Sequence, residues 1–269
     1  MTAMPQTSTT DLRQQAIPKL PEPDWTQLGL IAIAALPQPL VPMSLAPMPV
    51  RVYPAYARME VPGAVHECYV REEVYRRLLA VARALPSGLT LLVLDGWRPW
   101  RVQQYLFETL STTISEAEPG ISEAELLERT REFVSLPSTA ADAPSPHLTG
   151  GAVDVTLCDA DGLPLDMGST FDEASQISHT ATFEERLNLS AEQIIARDNR
   201  RLLYHSMLAQ GFTNLPSEWW HFDFGDQLWA WYSGRESALY GPAEPDTVAN
   251  RWKRQFGRAD SPTDERYGV

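Results

Sequence analysis

Apolar and polar positions first settle into a regular period between Val74 and Leu85. There Val74, Leu78, Leu79, Val81, Ala82 and Leu85 share one helical face, and Pro86-Ser87-Gly88 stops it. The next run, LTLLVLDG, is uninterruptedly apolar, as expected of a buried strand, and Asp95-Gly96 ends it, so that Trp97-Arg98-Pro99 emerge at the strand's edge. A helix is predicted from about Trp100 to Leu110. Another is announced by Ser122 with Glu125 three residues later, the sequence form of a capping box, and runs through ELLERTREFV. After a loop from Pro137 to Pro146, the alternation of Val153 and Val155 against Asp154 and Thr156 predicts a strand that turns at Asp159-Ala160-Asp161-Gly162. A helix from about Ala191 to Leu208 begins behind Ser190 and Gln193 and stops at Gly211, and SEWWHFDFG is the next strand. The order of elements predicts an α+β fold, a small, mainly antiparallel sheet with packed helices.

The ends are patterned differently. Residues 1–24 are polar and broken by prolines, with no apolar period that could dock them, and are expected to form a flexible tail. Residues 25–241 are read as one catalytic domain, in which prolines between Pro37 and Pro54 favour extended segments that add an edge to the core. Residues 242–269 are read as a C-terminal tail.

Composition narrows the function. A formal net charge of −13 over 269 residues would repel a phosphate backbone and an anionic membrane surface alike, so neither nucleic acid nor membrane is expected as a partner. Cys68 and Cys158 are too few for a disulfide framework and fit reduced thiols in a cytoplasmic protein. The longest apolar run, Gly29 to Leu36, is well short of the ~20 residues that span a bilayer. It follows Glu22 and Asp24, without the basic start of a signal peptide.

The chemistry gathers in two segments. His147 and Asp154 lie seven residues apart across a loop-to-strand junction, and Glu218-Trp219-Trp220-His221 adds a second imidazole with a carboxylate three positions before it. Catalytic zinc takes three nitrogen or oxygen ligands and keeps a fourth position open. His147, Asp154 and His221 meet that count, which leaves Glu218 free to act as general base on the attacking water. Glu218 and His221 have opposite parity in a regular strand, so a turn or bulge before Trp219 is required. Arg98, just past a buried strand, can be held rigidly toward a cleft to stabilise an oxyanion.

The pattern S-x-H-x-x-G-x-A-x-D from Ser145 to Asp154, the later E-x-x-H and the D-G-W-R-P element resemble the D-alanyl-D-alanine dipeptidases among the zinc D,D-peptidases. The resemblance runs roughly from Tyr53 to Phe224 and takes in Met167 to Asp172 and Asn199 to Leu202. It implies one Zn2+ per chain on His147, Asp154 and His221, Glu218 as base and Arg98 as transition-state stabiliser. It also implies Ser145 as a substrate-binding serine, Asp172 as the acceptor of the substrate ammonium, and a small D-amino-acid dipeptide as substrate. Upstream the chain departs from the family: Val52-Tyr53-Pro54-Ala55-Tyr56 has no Asn-Phe-x-Gly element after it. Tyr53 is read as the counterpart of the family's pocket tyrosine, with Tyr56 as the other choice. Two other functions stay open, a D,D-carboxypeptidase or L,D-peptidase on larger cell-wall fragments and an inactive zinc-containing binding protein.

Overall fold

The structure is a computed structural model that describes residues 9–257. A short helix α1 (Thr9–Gln14) and a single turn α2 (Trp25–Leu28) precede three brief strands, β1 (Ala32–Ile33), β2 (Leu40–Pro42) and β3 (Val50–Val52). The turn α3 (Ala55–Arg58), strand β4 (Tyr69–Arg71), helix α4 (Glu72–Ala84) and strand β5 (Thr90–Asp95) follow. Two helices, α5 (Trp100–Ala117) and α6 (Glu123–Phe133), lead to strand β6 (Ala152–Cys158). Helix α7 (Ala191–Leu208), strands β7 (Thr213–Asn214) and β8 (His221–Asp223), helix α8 (Gln227–Tyr232), strand β9 (Ser237–Ala238) and helix α9 (Val248–Gly257) complete the order.

The main sheet has five strands in the order β3-β5-β6-β8-β7, antiparallel except where β3 adds in parallel to β5. The proline-rich N-terminal stretch thus supplies an edge, as its composition implies. Successive residues of a strand face opposite sides, and the two sides of this sheet serve different ends. Val153, Val155, Leu157 and Phe222 point into the main core with Val74, Leu78 and Val81 of α4 and Leu202, Leu203 and Met207 of α7. Asp154, His221 and Asp223 take the opposite parity, and that face is buried too. This is why β6 is buried along its whole length although its alternation reads as half-buried.

The local start signals are used as the residues indicate. The Ser122 side chain accepts from the Glu125 N–H, and Ser190 and Gln193 form the reciprocal capping box of α7. The expectation of a flexible tail over residues 1–24 is corrected for its second half. Ile17 is buried in the main core, and its N–H donates to Glu184 Oε1 at 3.2 Å. Arg201 of α7 grips Glu184 through Nε and reaches the Arg13 carbonyl, and His205 meets the Gln15 carbonyl. Side chains of α7 that catch backbone carbonyls hold this strap, so no apolar period announces it. Residues 1–8 of the expected N-terminal tail, and residues 258–269 of the C-terminal one, lie outside the described residues. The region after Pro242 is not wholly detached, because Ala243 bonds the Leu148 carbonyl and accepts from the Trp97 indole.

Candidate active site

Sheet register brings together residues far apart in sequence. Asp154 of β6 pairs directly with His221 of β8 on one side and with Asp95 of β5 on the other. Directly opposed residues in such a ladder face the same way with Cβ atoms about 5 Å apart, so three functional side chains line up across three strands. Asp95 reaches that position through a bulge: Val93 pairs with Val155, yet Asp95 pairs with Asp154, one residue having slipped.

His147 arrives from outside the sheet, on a single 3-10 turn, Pro146–Thr149. Gly150 ends the turn at φ 71°, in the left-handed region, where a Cβ would also stand 2.2 Å from Leu40 Cδ2. The strand end opposite must come equally close: a Cβ on Gly96 would meet the Tyr69 carbonyl at 2.4 Å. The Gly96 carbonyl accepts from His147 Nδ1 at 2.7 Å, which directs Nε2 inward.

The three predicted ligands converge. His147 Nε2 lies 3.2 Å from His221 Nδ1, and Asp154 Oδ1 lies 3.2 Å from His221 Nδ1 and 3.5 Å from His147 Nε2. A tetrahedron with bonds of about 2.0–2.1 Å has edges of about 3.3–3.4 Å, so the spacing fits zinc. Proton positions fit as well. His147 spends its Nδ1 proton on Gly96, and His221 spends its Nε2 proton on Asp223 Oδ1 at 2.9 Å, which turns two lone pairs toward one point. All three ligands are buried, and they form the candidate metal cluster among the described residues.

The charges around this point reinforce it. Burial alone would raise the Asp154 carboxyl, but His147 and His221 outweigh it and hold the group well below the usual carboxylate range. Burial likewise disfavours a positive His221, and Asp223 and Asp154 together outweigh that. Beyond Asp223 stands Asp226, which caps α8 by accepting from the Trp229 N–H. Burial, and then the neighbouring Asp223, push its pKa well above the ordinary value. The Oδ2 atoms of both aspartates are buried without a donor.

Glu218 stands beside the ligands without joining them, its Oε2 3.8 Å from His221 Nδ1. The required turn before Trp219 is present: the Glu218 N–H closes on the Leu215 carbonyl, a second turn follows as the His221 N–H closes on the Glu218 carbonyl, and Asn214 Nδ2 donates to the carbonyls of Glu218 and His221 at 3.0 and 2.9 Å. Burial pushes the Glu218 carboxyl up to about 8. A dication held by the neighbouring ligands would oppose that shift and bring the group toward the range in which a base works at neutral pH.

Arg98 is buried and triply engaged: Nε donates to Asp95 at 2.7 Å, Nη1 to Gln103 at 2.7 Å and Nη2 to Asp154 at 3.0 Å. Its guanidinium lies over the Tyr56 ring at 4.6 Å. Despite burial, Tyr56, Asp95 and Asp154 hold it fully protonated. Arg98→Ala is expected to lower kcat by about 10²–10³-fold and to lower stability by about 3 kcal/mol or more, because two buried carboxylates lose their cation. Steady-state rates and melting measured on one preparation separate the two effects.

The substrate-binding assignments divide. Asp172 enters the same cleft as Arg98, Glu218, His147 and His221, and its Oδ1 accepts from the Tyr56 hydroxyl at 3.0 Å. Although Asp172 faces the open cleft, protein atoms crowd it, and the lost hydration pushes its carboxyl up to about 6. The tyrosine beside it is therefore Tyr56, which corrects the choice of Tyr53: that ring is 48% exposed and does not line the cleft. The chain leaves β3 at Val52 and enters the turn α3, whose inward residues are Ala55 and Tyr56, so Tyr56, the other choice, is the one that faces inward. Ser145 is also not brought into the cleft lining; its hydroxyl donates to the Leu136 carbonyl and accepts from the Ser138 N–H, shaping the loop before His147.

Sequence reasoning missed the residues that hold these groups in place. Asp95, Asp223 and Asn214 act on Arg98, His221 and the Glu218 turn. Arg200, fully buried on α7, donates to the carbonyls of Met167, Ile177 and His179 and so fastens both ends of the loop that carries Asp172. The i, i+2 spacing of His221 and Asp223 was the one available signal.

A family model described as D-ala-D-ala dipeptidase matches residues 62–238. This chain belongs to that family. A D-alanyl-D-alanine dipeptidase of Synechocystis is 33% identical over 77% of this chain and 92% of its own length. Its Escherichia coli namesake is 30% identical over 54% of this chain and 60% of its own. Among solved structures, VanYB in complex with D-alanine-D-alanine has a TM-score of 0.40 at 16% identity, covering 62% of this chain and 80% of that one, a similarity too distant to bear on the site. The matched residues of the dipeptidase family model contain all three ligands, Glu218, Arg98 and Asp172.

Proposed function

We propose that the chain is a zinc-dependent dipeptidase that hydrolyses D-Ala-D-Ala or a similar D-amino-acid dipeptide, with one zinc per chain. The observation that carries this reading is one cleft lined by His147, His221, an unligated Glu218 and an anionic Asp172, at whose wall the ligand atoms of His147, His221 and the buried Asp154 converge with tetrahedral spacing. When bound, zinc supplies the Lewis acidity that polarises the attacking water and the scissile carbonyl. Glu218 takes the proton from that water and delivers it to the departing amine. Arg98 meets the negative charge that grows on the carbonyl oxygen as the tetrahedral centre forms. Asp172, held by Tyr56, receives the substrate ammonium and so sets the distance from the free N-terminus to the scissile bond.

The relatives named D-alanyl-D-alanine dipeptidase support this substrate. A cytoplasmic setting belongs to the same reading and is supported by the two buried, unpaired thiols Cys68 and Cys158.

The test is hydrolysis of D-Ala-D-Ala, L-Ala-L-Ala and N-acetyl-D-Ala-D-Ala by the zinc-loaded protein. Acetylation removes the charge that Asp172 meets and strands its carboxylate in the cleft, so turnover of the blocked peptide is expected to fall by about a hundredfold or more. Asp172→Asn should impair the free dipeptide strongly and any residual cleavage of the blocked one little. Equal cleavage of free, blocked and longer peptides would replace this reading with a carboxypeptidase acting on larger cell-wall fragments.

A further inference from the structure

A dipeptide carries a carboxylate as well as an ammonium, and its two charged ends lie within about 7 Å of each other. Both ends therefore enter the same cleft, and Asp172 answers only one of them. Apart from the histidine ligands, the described residues that line this cleft offer two cations, Arg98 and Arg131. Arg98 is held by Asp95, Gln103 and the metal ligand Asp154, which fixes it beside the ligands, where it is already assigned to the reacting carbonyl. Arg131 is in the last turn of α6, half-buried at the cleft wall beside Phe133 and Trp25, and makes no ion pair or hydrogen bond with any described residue. The serine that the family resemblance assigns to substrate is turned into its own loop.

We propose that Arg131 is the specificity residue for the substrate's C-terminal carboxylate, which its planar guanidinium can engage through two parallel N–H donors. The inference rests on the dipeptidase reading and deepens it. Asp172 and Arg131 then select for a short zwitterion from two ends, with the metal ligands and Glu218 between their roles. Leaving Arg131 unpaired in the free protein keeps its donors available for the ligand.

Binding of D-Ala-D-Ala and of its C-terminal amide is measured by calorimetry on zinc-loaded Glu218→Gln protein, with Arg131 intact, Arg131→Gln and Arg131→Lys. Charge-assisted hydrogen bonds of this kind predict a loss of about tenfold to a hundredfold for the free dipeptide in Arg131→Gln. Partial recovery is expected in Arg131→Lys, and nearly equal binding of the amide to all three. A merely structural role would weaken dipeptide and amide together, and that result, or unchanged binding of the dipeptide, overturns the proposal. Hydrolysis of D-Ala-D-Ala by the otherwise unaltered protein is followed in parallel. Binding that depends on Arg131 without hydrolysis would sink the dipeptidase reading alone; hydrolysis indifferent to Arg131 would sink this inference alone. Absence of any binding would end both.

Discussion

Glu218→Gln is expected to retain zinc at the level of the unaltered protein while kcat falls by about 10²–10⁴-fold, the usual worth of a positioned general base. The separation follows from geometry. Glu218 stands 3.8 Å from the nearest ligand nitrogen, while the three ligands stand 3.2 to 3.5 Å from one another. The amide keeps the shape of the side chain and takes away its capacity to accept a proton. The turn that presents residue 218 is built from backbone carbonyls, Asn214 and the His221 N–H, none of which the substitution touches. Metal analysis and single-turnover rates on the same samples provide the check. Zinc lost together with activity would make Glu218 a ligand.

His147→Ala, Asp154→Ala and His221→Ala should each release the metal and with it essentially all activity, because two remaining donors cannot hold zinc in a catalytic site. The variants should differ in stability. Asp154→Ala also removes an anion that Arg98 and both histidines share, so it disturbs the most buried charges. Asp223→Asn offers a graded version: it keeps a group beside His221 but weakens the acceptor that fixes its tautomer, and about a tenfold to hundredfold loss of zinc affinity is expected. Chelation of the unaltered protein should lower its melting temperature, since metal held only by the folded state stabilises that state. Zinc retained by all three alanine variants would disprove the ligand assignment.

Much of this molecule is written in local pattern. The run from Thr90 to Asp95, the N-cap at Ser122, the capping box at Ser190 and the amphipathic face of α4 each depend on neighbours within a few turns, and each forms where its residues indicate. The ligands and Glu218 were legible because metal chemistry restricts residue types and counts, and because the parity of Glu218 and His221 already demanded a turn or bulge. Tyr53 and Ser145 were misplaced for one shared reason. A motif records that a residue type stands at a position, whereas the direction of its side chain depends on the backbone around it. At Tyr56 that backbone is the turn α3, and at Ser145 it is a loop that uses the hydroxyl for its own hydrogen bonds.

By itself, then, the sequence determined the longer secondary elements and the candidate donors for a metal and a base, since these rest on periodicity and on the residue types available. The tertiary structure alone decided which carboxylates stand behind the ligands, how the N-terminal strap docks, and which cations line the cleft. Those outcomes depend on strand register, on a single slipped residue at the Asp95 bulge, and on contacts such as Arg201 with Arg13 that join residues 188 positions apart. No local pattern encodes such pairings, because their energy appears only when the chain has closed upon itself.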